Sequence, residues 1–177
     1  GARPLVAAGR LYAPTSDGRL LVLDAELGVL LHALDIGALA PGGVYVKDGL
    51  LVVALGDGYV RAYGEQSLEL EWERRLGAKT SLALLGKSLI CAADNGWLYR
   101  LNLRDGHLLW KQSLGAAPLG SAVVGPRGEV AVGTATGRVL GVDLGTGEVV
   151  WDVQLLAGKG ARLEGGADGF FVRGGDD

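Results

Sequence analysis

Residues 129–151, EVAVGTATGRVLGVDLGTGEVVW, contain the pattern that decides the fold of this chain. The same order of an apolar run, a turn glycine, a second apolar run and a final tryptophan recurs in residues 88–110, SLICAADNGWLYRLNLRDGHLLW. Two further copies occupy residues 49–72, GLLVVALGDGYVRAYGEQSLELEW, and residues 10–32, RLYAPTSDGRLLVLDAELGVLLH. The chain therefore consists of repeats, and the repeat determines how every single element is interpreted.

Two columns of residues keep the repeats in one register. Intervals of 40, 38 and 41 residues separate the turn glycines, which are Gly18, Gly58, Gly96 and Gly137. The same three intervals separate a later column of aromatic residues, which are His32, Trp72, Trp110 and Trp151. Agreement between two independent columns makes chance similarity improbable. A fifth copy begins at Gly169, and the 177-residue chain stops within it.

Each copy is built from short apolar runs that predict β-strands. The runs are rich in Val, Leu and Tyr and are bounded by Gly, Asp, Asn or Thr, which are strand and tight-turn signals. In the fourth copy the predicted strands span about 119–124, 129–134, 137–143 and 149–155. Runs such as Leu50 to Leu55 are apolar at consecutive positions rather than at alternate ones. We therefore expect sheets that are covered on both faces.

Four-stranded units of this length, each packed between its neighbours, predict an all-β fold of the β-propeller type with antiparallel blades. The blades are expected at about residues 3–37, 43–77, 80–115 and 119–156, followed by a half blade at 161–177. The whole chain is then one propeller arc of about 4.4 repeats. A helical solenoid is disfavoured because glycine interrupts the sequence too often for sustained helical periodicity.

Composition excludes several classes of protein. With 49% hydrophobic residues and a mean hydropathy of +0.27 the chain can bury a core, so it is not disordered. Its net charge of −3 and the lack of a dense basic run argue against nucleic acid as a partner. No apolar run is long enough for a membrane span. The chain has no methionine and no targeting segment, so we expect a mature or excised piece.

The residues of the fourth copy also carry a family resemblance. LGVDLGTGEVVW, residues 140–151, resembles the tryptophan-docking motif of quinoprotein propellers. The third copy keeps the motif, the second is the poorest match, and the first has histidine in place of tryptophan. The chain is therefore similar to the pyrroloquinoline-quinone-like repeat family. That family includes outer-membrane-protein assembly lipoproteins, quinoprotein dehydrogenases and sensor domains of bacterial kinases, and it implies a ring of seven or eight blades, completed here by missing blades or by another chain.

The docking motif predicts structural roles for seven residues. Tryptophan on an outer strand is expected to pack on the neighbouring blade and to donate its indole N–H to a backbone carbonyl there. His32 is expected to be a packed substitute rather than a metal ligand or a base. An acidic or amide side chain after the third strand is expected to cap backbone amides of the next turn. These predicted docking residues are Asp24, His32, Trp72, Asn102, Trp110, Asp143 and Trp151.

Two further sets of residues are candidates for binding. The residue after each turn glycine varies and is large, which suggests a partner-binding rim or, alternatively, side chains that pack over a tight turn. These rim positions are Arg19, Tyr59, Trp97 and Arg138. Arg61 and Arg100 lie within third strands, where a charge needs a partner. They either form local salt bridges or line the axial funnel and bind an anion such as a quinone carboxylate.

The resemblance implies three classes of function. The leading interpretation is a non-enzymatic scaffold that binds a protein partner in cell-envelope assembly, which favours the periplasm while a cytoplasmic location stays open. The alternative is a sensor that binds pyrroloquinoline quinone. A quinoprotein dehydrogenase is least favoured, because its usual disulfide ring needs two adjacent cysteines and this chain has only Cys91, which is expected to be buried and inert. We therefore predict no enzymatic activity, no metal and no required cofactor.

Overall fold

A computed structural model of the chain describes residues 4–38, 40–125, 129–155, 160–166 and 169–174. Within these ranges the structure contains strands and no helix. The strands form four antiparallel sheets of four strands each, with neighbours in chain order, and one two-stranded sheet. This confirms the predicted all-β class of four-stranded antiparallel units, and we call these four sheets blades one to four. The predicted limits at residues 3, 156 and 177 lie outside the described residues.

The chain divides into two compact units, of which the first comprises Gly1–Thr80 and Arg104–Gly106. It contains blades one and two. The strands of blade one are β1 (Leu5–Ala7), β2 (Arg10–Pro14), β3 (Arg19–Asp24) and β4 (Leu30–Asp35). The strands of blade two are β5 (Val44–Lys47), β6 (Leu50–Ala54), β7 (Tyr59–Gly64) and β8 (Leu70–Arg75).

The second unit comprises Ser81–Leu103 and His107–Asp177. The strands of blade three are β9 (Thr80–Leu85), β10 (Ser88–Ala93), β11 (Trp97–Asn102) and β12 (Leu108–Ser113). The strands of blade four are β13 (Val123–Val124), β14 (Glu129–Gly133), β15 (Arg138–Asp143) and β16 (Val149–Gln154). A last antiparallel pair consists of β17 (Ala161–Gly166) and β18 (Gly169–Gly174).

The second strands of blades two, three and four lie in the core. Every residue of Ser88–Ala93 is buried, and so are the last four residues of Leu50–Ala54. Burial at consecutive positions means that both faces of these strands are covered, as the uninterrupted apolar runs predicted. The core of the first unit joins side chains of both of its blades, Tyr12, Leu20 and Val22 from one and Leu51 and Val53 from the other.

The first strand of blade four is much shorter than predicted. It contains only Val123–Val124, whereas the sequence predicted about 119–124. Pro118 forms a single isolated bridge with Thr134, and Gly120 has a φ of +84°. Proline cannot donate to a β-ladder and a positive φ turns the chain out of extended geometry, so these two residues end the regular pairing.

The turn glycines have a positive φ in each of the four blades, and in blade two close packing also excludes a side chain. Gly58 has a φ of +88°, and a β-carbon there would lie 2.8 Å from the backbone nitrogen of Ala78. The chain segment that leaves the fourth strand passes over this turn, where Leu76 N–H donates to the Gly58 carbonyl at 2.8 Å. The Gly96 carbonyl accepts from Leu114 N–H in the same way, also at 2.8 Å. These hydrogen bonds hold the turn, and the turn sets the direction of the side chain that follows its glycine.

Candidate functional site

Arg19, the first of the four rim positions, is held by an ion pair within its own turn. Its guanidinium lies 2.5 Å from the Asp17 carboxylate, and both side chains are more than half exposed. The hydrogen bond from Arg19, with a second from the Thr15 hydroxyl, lowers the pKa of Asp17 to about 2. The pair is solvent-screened, so it orients Arg19 more than it stabilises the blade.

Tyr59 is the rim residue of blade two, and two arginines flank its ring. The guanidinium carbon of Arg61 lies 5.2 Å from the ring centroid, and that of Arg75 lies 5.9 Å from it. Both distances are within cation–π range. Arg75 is directly opposite Tyr59 in the register of β7 and β8, which explains the contact. Tyr59 is half-buried, so one part of a large and immobilised aromatic surface faces solvent.

Trp97 and Arg138 are the rim residues of the second unit. The Lys111 ammonium lies 4.9 Å from the centroid of the Trp97 ring, so a second aromatic rim residue carries a cation. Arg138 forms an ion pair with Asp152, whose hydrogen bond raises the pKa of Arg138. Its guanidinium also lies against Gly115, since a β-carbon there would be 3.1 Å from Nη1 of Arg138. All four rim side chains are therefore positioned by local partners.

Arg61 is engaged by groups of its own unit. Its Nε donates to the Glu73 carboxylate at 3.1 Å, and its Nη1 donates to the Ile36 carbonyl at 2.6 Å. Glu73 lies directly opposite Arg61 in the strand register. The sequence left two alternatives for Arg61, a local salt bridge or an anion-binding role, and the structure contains the salt bridge. Binding of an anion at Arg61 stays a prediction.

Arg100 is engaged in blade packing. Its Nε donates to the Ser88 hydroxyl at 2.8 Å, and its Nη1 donates to the Leu144 carbonyl in blade four at 2.6 Å. Trp110, directly opposite Arg100 in the strand register, donates its indole N–H to the same carbonyl at 2.8 Å. A carbonyl oxygen has two lone pairs and can accept both bonds. Arg100 therefore strengthens the docking contact that the sequence assigned to tryptophan alone.

The two arginines occupy different faces of their blades. In blade two Arg61 is opposite Glu73, and the next residue, Ala62, is opposite Trp72. In blade three it is Arg100 that is opposite the tryptophan of the outer strand. Because side chains alternate along a strand, positions one residue apart in the repeat project to opposite faces. The repeat therefore does not place the two guanidinium groups at a common position.

The tryptophans of the outer strands pack on glycines. Within the first unit, a β-carbon on Gly106 would lie 2.5 Å from the Trp72 ring, and within the second, one on Gly147 would lie 2.7 Å from the Trp110 ring. Both glycines have a positive φ, and both are buried. Trp151 instead lies over Gly141, the residue opposite it in its own blade. Glycine is needed in each case because any side chain would occupy the volume of the indole.

His32 differs from the expectation of a packed substitute, because its side chain is exposed. An imidazole extends less far from its strand than an indole does. Arg10 instead donates to the next blade, with 3.0 Å between its Nη1 and the Glu65 carbonyl. Glu65 follows the third strand of blade two as Leu144 follows that of blade four, so the two acceptors are equivalent in the repeat.

The side chains after the third strands shape the next turn. Oδ1 of Asp24 accepts from the N–H groups of Glu26 and Leu27 at 2.9 and 2.8 Å. Oδ1 of Asp143 accepts from Thr146 N–H at 2.7 Å, and this bond lowers the pKa of Asp143. At Asn102 the backbone N–H donates to the His107 carbonyl at 2.8 Å and closes the equivalent turn.

Several side chains that the sequence interpretation did not select complete these sites, among them Arg10, Arg75, Lys111 and Asp152. Arg75 could have been found from the sequence. Once the turn between β7 and β8 is placed, the strand register puts Arg75 opposite Tyr59. Lys111 and Asp152 lie on the same outer strands as the docking tryptophans. Arg10 has no comparable signal, since its acceptor lies 55 residues away in the next blade.

Cys91 is fully buried, and burial raises the pKa of its thiol. Among the described residues no group of three or more His, Cys, Asp or Glu side chains is placed to hold a metal ion. Nor do the described residues include a helix with the length and hydropathy needed to cross a membrane.

Comparison with known proteins identifies first the class of fold and then the family. The crystal structure of BamB from Moraxella catarrhalis superimposes with a TM-score of 0.79 at 16% identity, covering 98% of this chain and 58% of that one. The fold is that of a β-propeller. The family model described as "Outer membrane protein assembly factor BamB" matches residues 35–169. The chain belongs to this family.

Individual relatives agree with this assignment. BamB of Nitrosomonas eutropha is 30% identical over 155 residues, which cover 84% of this chain and 38% of the relative. BamB of Moranella endobia is 28% identical over 170 residues, with 86% and 44% covered. BamB of Legionella pneumophila is 27% identical over 168 residues, with 88% and 43% covered. The chain thus spans about two fifths of the length of these relatives.

Proposed function

We propose that this chain forms part of a non-enzymatic propeller that binds protein partners during the assembly of outer-membrane proteins, in the bacterial cell envelope. Membership of the BamB family supports this proposal, since the relatives are described as outer membrane protein assembly factors. The fold alone would not support it, because one architecture serves many functions. The argument therefore rests on particular side chains.

The observation that carries the proposal is the state of the aromatic rim residues. Tyr59 and Trp97 are both half-buried, and each has a cation on its ring. Tyrosine, tryptophan and arginine are the residues that contribute most to protein interfaces. A side chain that is already fixed loses little conformational entropy when a partner binds. The rim positions of these two blades are therefore preorganised contacts for a protein surface.

The engagement of the two strand arginines favours a scaffold over a sensor of a quinone-like anion. Arg61 already donates to a carboxylate and a carbonyl, and Arg100 to a hydroxyl and a carbonyl. An incoming anion would have to displace these bonds or share them. Titration with pyrroloquinoline quinone, followed by calorimetry, is expected to give no saturable binding at high micromolar ligand. Saturable binding that is lost in the Arg61→Met variant would support the sensor instead.

Site-specific photo-crosslinking in cells tests the scaffold directly. A photoreactive phenylalanine analogue at position 59 or 97 is expected to capture the same cell-envelope protein. Position 66 provides the matched control, because Gln66 is exposed in the turn that follows the third strand and lies away from the rim. Adducts of equal yield at all three positions, or none at 59 and 97, would contradict the proposed rim.

A further inference from the structure

The contact between blades one and two buries a polar group that has no partner. The Tyr12 side chain is fully buried in the core that these two blades share, together with Leu51 and Val53. Among the described residues, its hydroxyl is the one buried side-chain polar atom without a hydrogen bond. Burial raises the pKa of Tyr12, and Arg10 and Glu65 affect it less, but neither is in hydrogen-bonding geometry with the hydroxyl. An unpaired hydroxyl costs free energy for as long as the contact stays closed.

The same contact lacks the indole that closes the contact between blades three and four. There Trp110 packs on Gly147 and donates to the Leu144 carbonyl at 2.8 Å. In blade two Leu68 takes the place of Gly147, at a φ of +57° that favours glycine, and its side chain packs against the shared core. A side chain at this position leaves no room for an indole, and His32 of blade one stays exposed.

Two arginines provide hydrogen bonds between blades one and two. Arg10 donates to the Glu65 carbonyl at 3.0 Å, and Arg61 donates to the Ile36 carbonyl at 2.6 Å. A partly exposed guanidinium exchanges a carbonyl for water at little cost, whereas an indole that leaves its glycine exposes a large apolar surface. Blades three and four also share an apolar core. The two contacts therefore differ chiefly in the indole and in the unpaired hydroxyl.

Closure of this contact also supports the rim residue of blade two. Arg61 bonds to the Ile36 carbonyl in the segment that follows blade one, and its guanidinium carbon lies 5.2 Å from the centroid of the Tyr59 ring. Tyr59 itself packs against the core that blades one and two share. Separation of the blades removes both supports. The orientation of Tyr59 is therefore coupled to the state of the contact.

We propose that the contact between blades one and two opens reversibly while both blades stay folded, and that only the closed state holds Tyr59 for partner binding. The opening is a local transition that needs less free energy than global unfolding. It gives water access to the Tyr12 hydroxyl, which is unpaired in the closed state. The statement about binding rests on the proposed function, whereas the opening itself does not.

Thiol labelling at equivalent positions of two blades tests the opening. Val53 and Val132 lie at the same distance before their turn glycines, and both are fully buried. Val53 belongs to the core of blades one and two, and Val132 to that of blades three and four. Cys91 has the same place in blade three, is fully buried and serves as the internal reference in V53C and V132C chains. After correction for the rates in urea, the introduced thiol of V53C is expected to react at least about tenfold faster than that of V132C.

Two substitutions are expected to change the labelling of V53C in opposite directions. Tyr12→Phe removes the unpaired hydroxyl and keeps the ring, so labelling slows by about fivefold. Tyr59→Ala removes a side chain that packs only in the closed state, so labelling accelerates by at least about threefold. Neither substitution is expected to affect V132C. Circular dichroism confirms that each variant is folded, and the equivalent pair L51C and V130C replaces V53C and V132C if either one is not.

Hydrogen exchange separates opening of the contact from unfolding of blade one. β3 lies between β2 and β4, so its amides exchange only when the blade itself comes apart. Their opening constant is expected to be at least about tenfold smaller than the one obtained from V53C labelling.

The opening is overturned by any of three results. These are equal labelling of V53C and V132C, equal opening constants from labelling and from β3 exchange, and labelling that Tyr12→Phe leaves unchanged. An unchanged labelling rate in Tyr59→Ala would overturn the coupling to the rim. Absence of crosslinks at position 59 would overturn the proposed function and leave the opening in place, so the two failures are distinguishable.

Discussion

Two contacts between blades use equivalent backbone carbonyls as acceptors but different side chains as donors. One contact joins blades one and two, and the other joins blades three and four. In the first unit, the Glu65 carbonyl accepts from Arg10 at 3.0 Å. In the second unit, the equivalent Leu144 carbonyl accepts from Trp110 at 2.8 Å and from Arg100 at 2.6 Å. The constant feature is a backbone oxygen after the third strand, where no strand partner remains to bind it.

The difference shows that the acceptor constrains the blade contact more than the residue type of the donor does. A half-buried backbone carbonyl needs a partner, and either an indole or a guanidinium can provide it. The contact between blades one and two has no tryptophan, and Arg10 on β2 reaches the acceptor instead.

The largest expected difference between the two contacts comes from the aromatic column. Trp110→Ala removes an indole that packs on Gly147 and bonds to Leu144, so it is expected to lower the free energy of unfolding by about 3 kcal/mol. His32→Ala removes an exposed side chain, and its effect is expected to stay within about 0.5 kcal/mol. Urea denaturation followed by tryptophan fluorescence, with circular dichroism as a second probe, measures both. Similar losses in the two variants would show that His32 also docks.

The glycines in the turns between the third and fourth strands provide the next comparison. Gly147→Ala places a methyl group against the Trp110 ring at a φ of +80°, and it is expected to cost about 2 kcal/mol or more through strain and overpacking together. Gly28→Ala has nothing within 4 Å of the new methyl group and a φ of +66°, so only backbone strain of about 1 kcal/mol is expected. Equal destabilisation by both substitutions would mean that contact with the indole adds nothing.

Substitution of Arg10 tests whether its guanidinium replaces an indole as the donor in the contact between blades one and two. Arg10→Met keeps most of the aliphatic length but removes the hydrogen bond to Glu65, for an expected loss of about 1 kcal/mol. Leu68 occupies in blade two the position of Gly147 in blade four, so His32→Trp is added together with Leu68→Gly to supply an indole at the position that Trp110 occupies in blade three. A triple variant more stable than Arg10→Met/Leu68→Gly in urea denaturation is expected if the acceptor accommodates either donor. A triple variant no more stable than Arg10→Met/Leu68→Gly would contradict this equivalence.

The smallest expected effect is on the stability of the fold at low pH. Hydrogen bonds from Thr146 hold the pKa of Asp143 below its usual value of 3.8. A carboxyl whose pKa is lower in the folded state stabilises the fold above its unfolded pKa, and that contribution is lost as the pH falls through the folded pKa. Asp143→Asn is therefore expected to flatten the decline in stability below about pH 4. Unchanged acid denaturation curves would show that the turn tolerates protonation.

The sequence predicted the fold because its signals are local and repeated. Turn glycines such as Gly58 have a positive φ in each of the four blades, which favours glycine, so they appear in the sequence at regular intervals. Apolar runs such as Leu50–Ala54 report burial on two faces directly. The shortened Val123–Val124 strand was mispredicted because apolarity does not reveal where Pro118 and Gly120 interrupt the pairing.

The site was less predictable because its contacts join distant segments. Arg10 reaches Glu65 across 55 residues, and Arg100 reaches Leu144 across 44. Neither distance follows from the pattern within one repeat. The exposure of His32 could not be deduced either, because the docking column predicted a packed residue there and the relevant donor lies on another strand. The rim positions stay predictions until a partner is identified.

The central claim is that blade docking and partner binding are carried by different columns of the repeat. Calorimetric titration of the crosslinked partner, once identified, against the Tyr59→Ala/Trp97→Ala chain tests it most directly, with the melting temperature measured on the same sample. We predict that the affinity, measured well below the melting temperature, falls by about thirtyfold or more while the chain stays folded, although the melting temperature falls because Tyr59 packs against the core of the first unit. An unchanged affinity, or a fall in affinity that only accompanies loss of the folded state, would contradict the account.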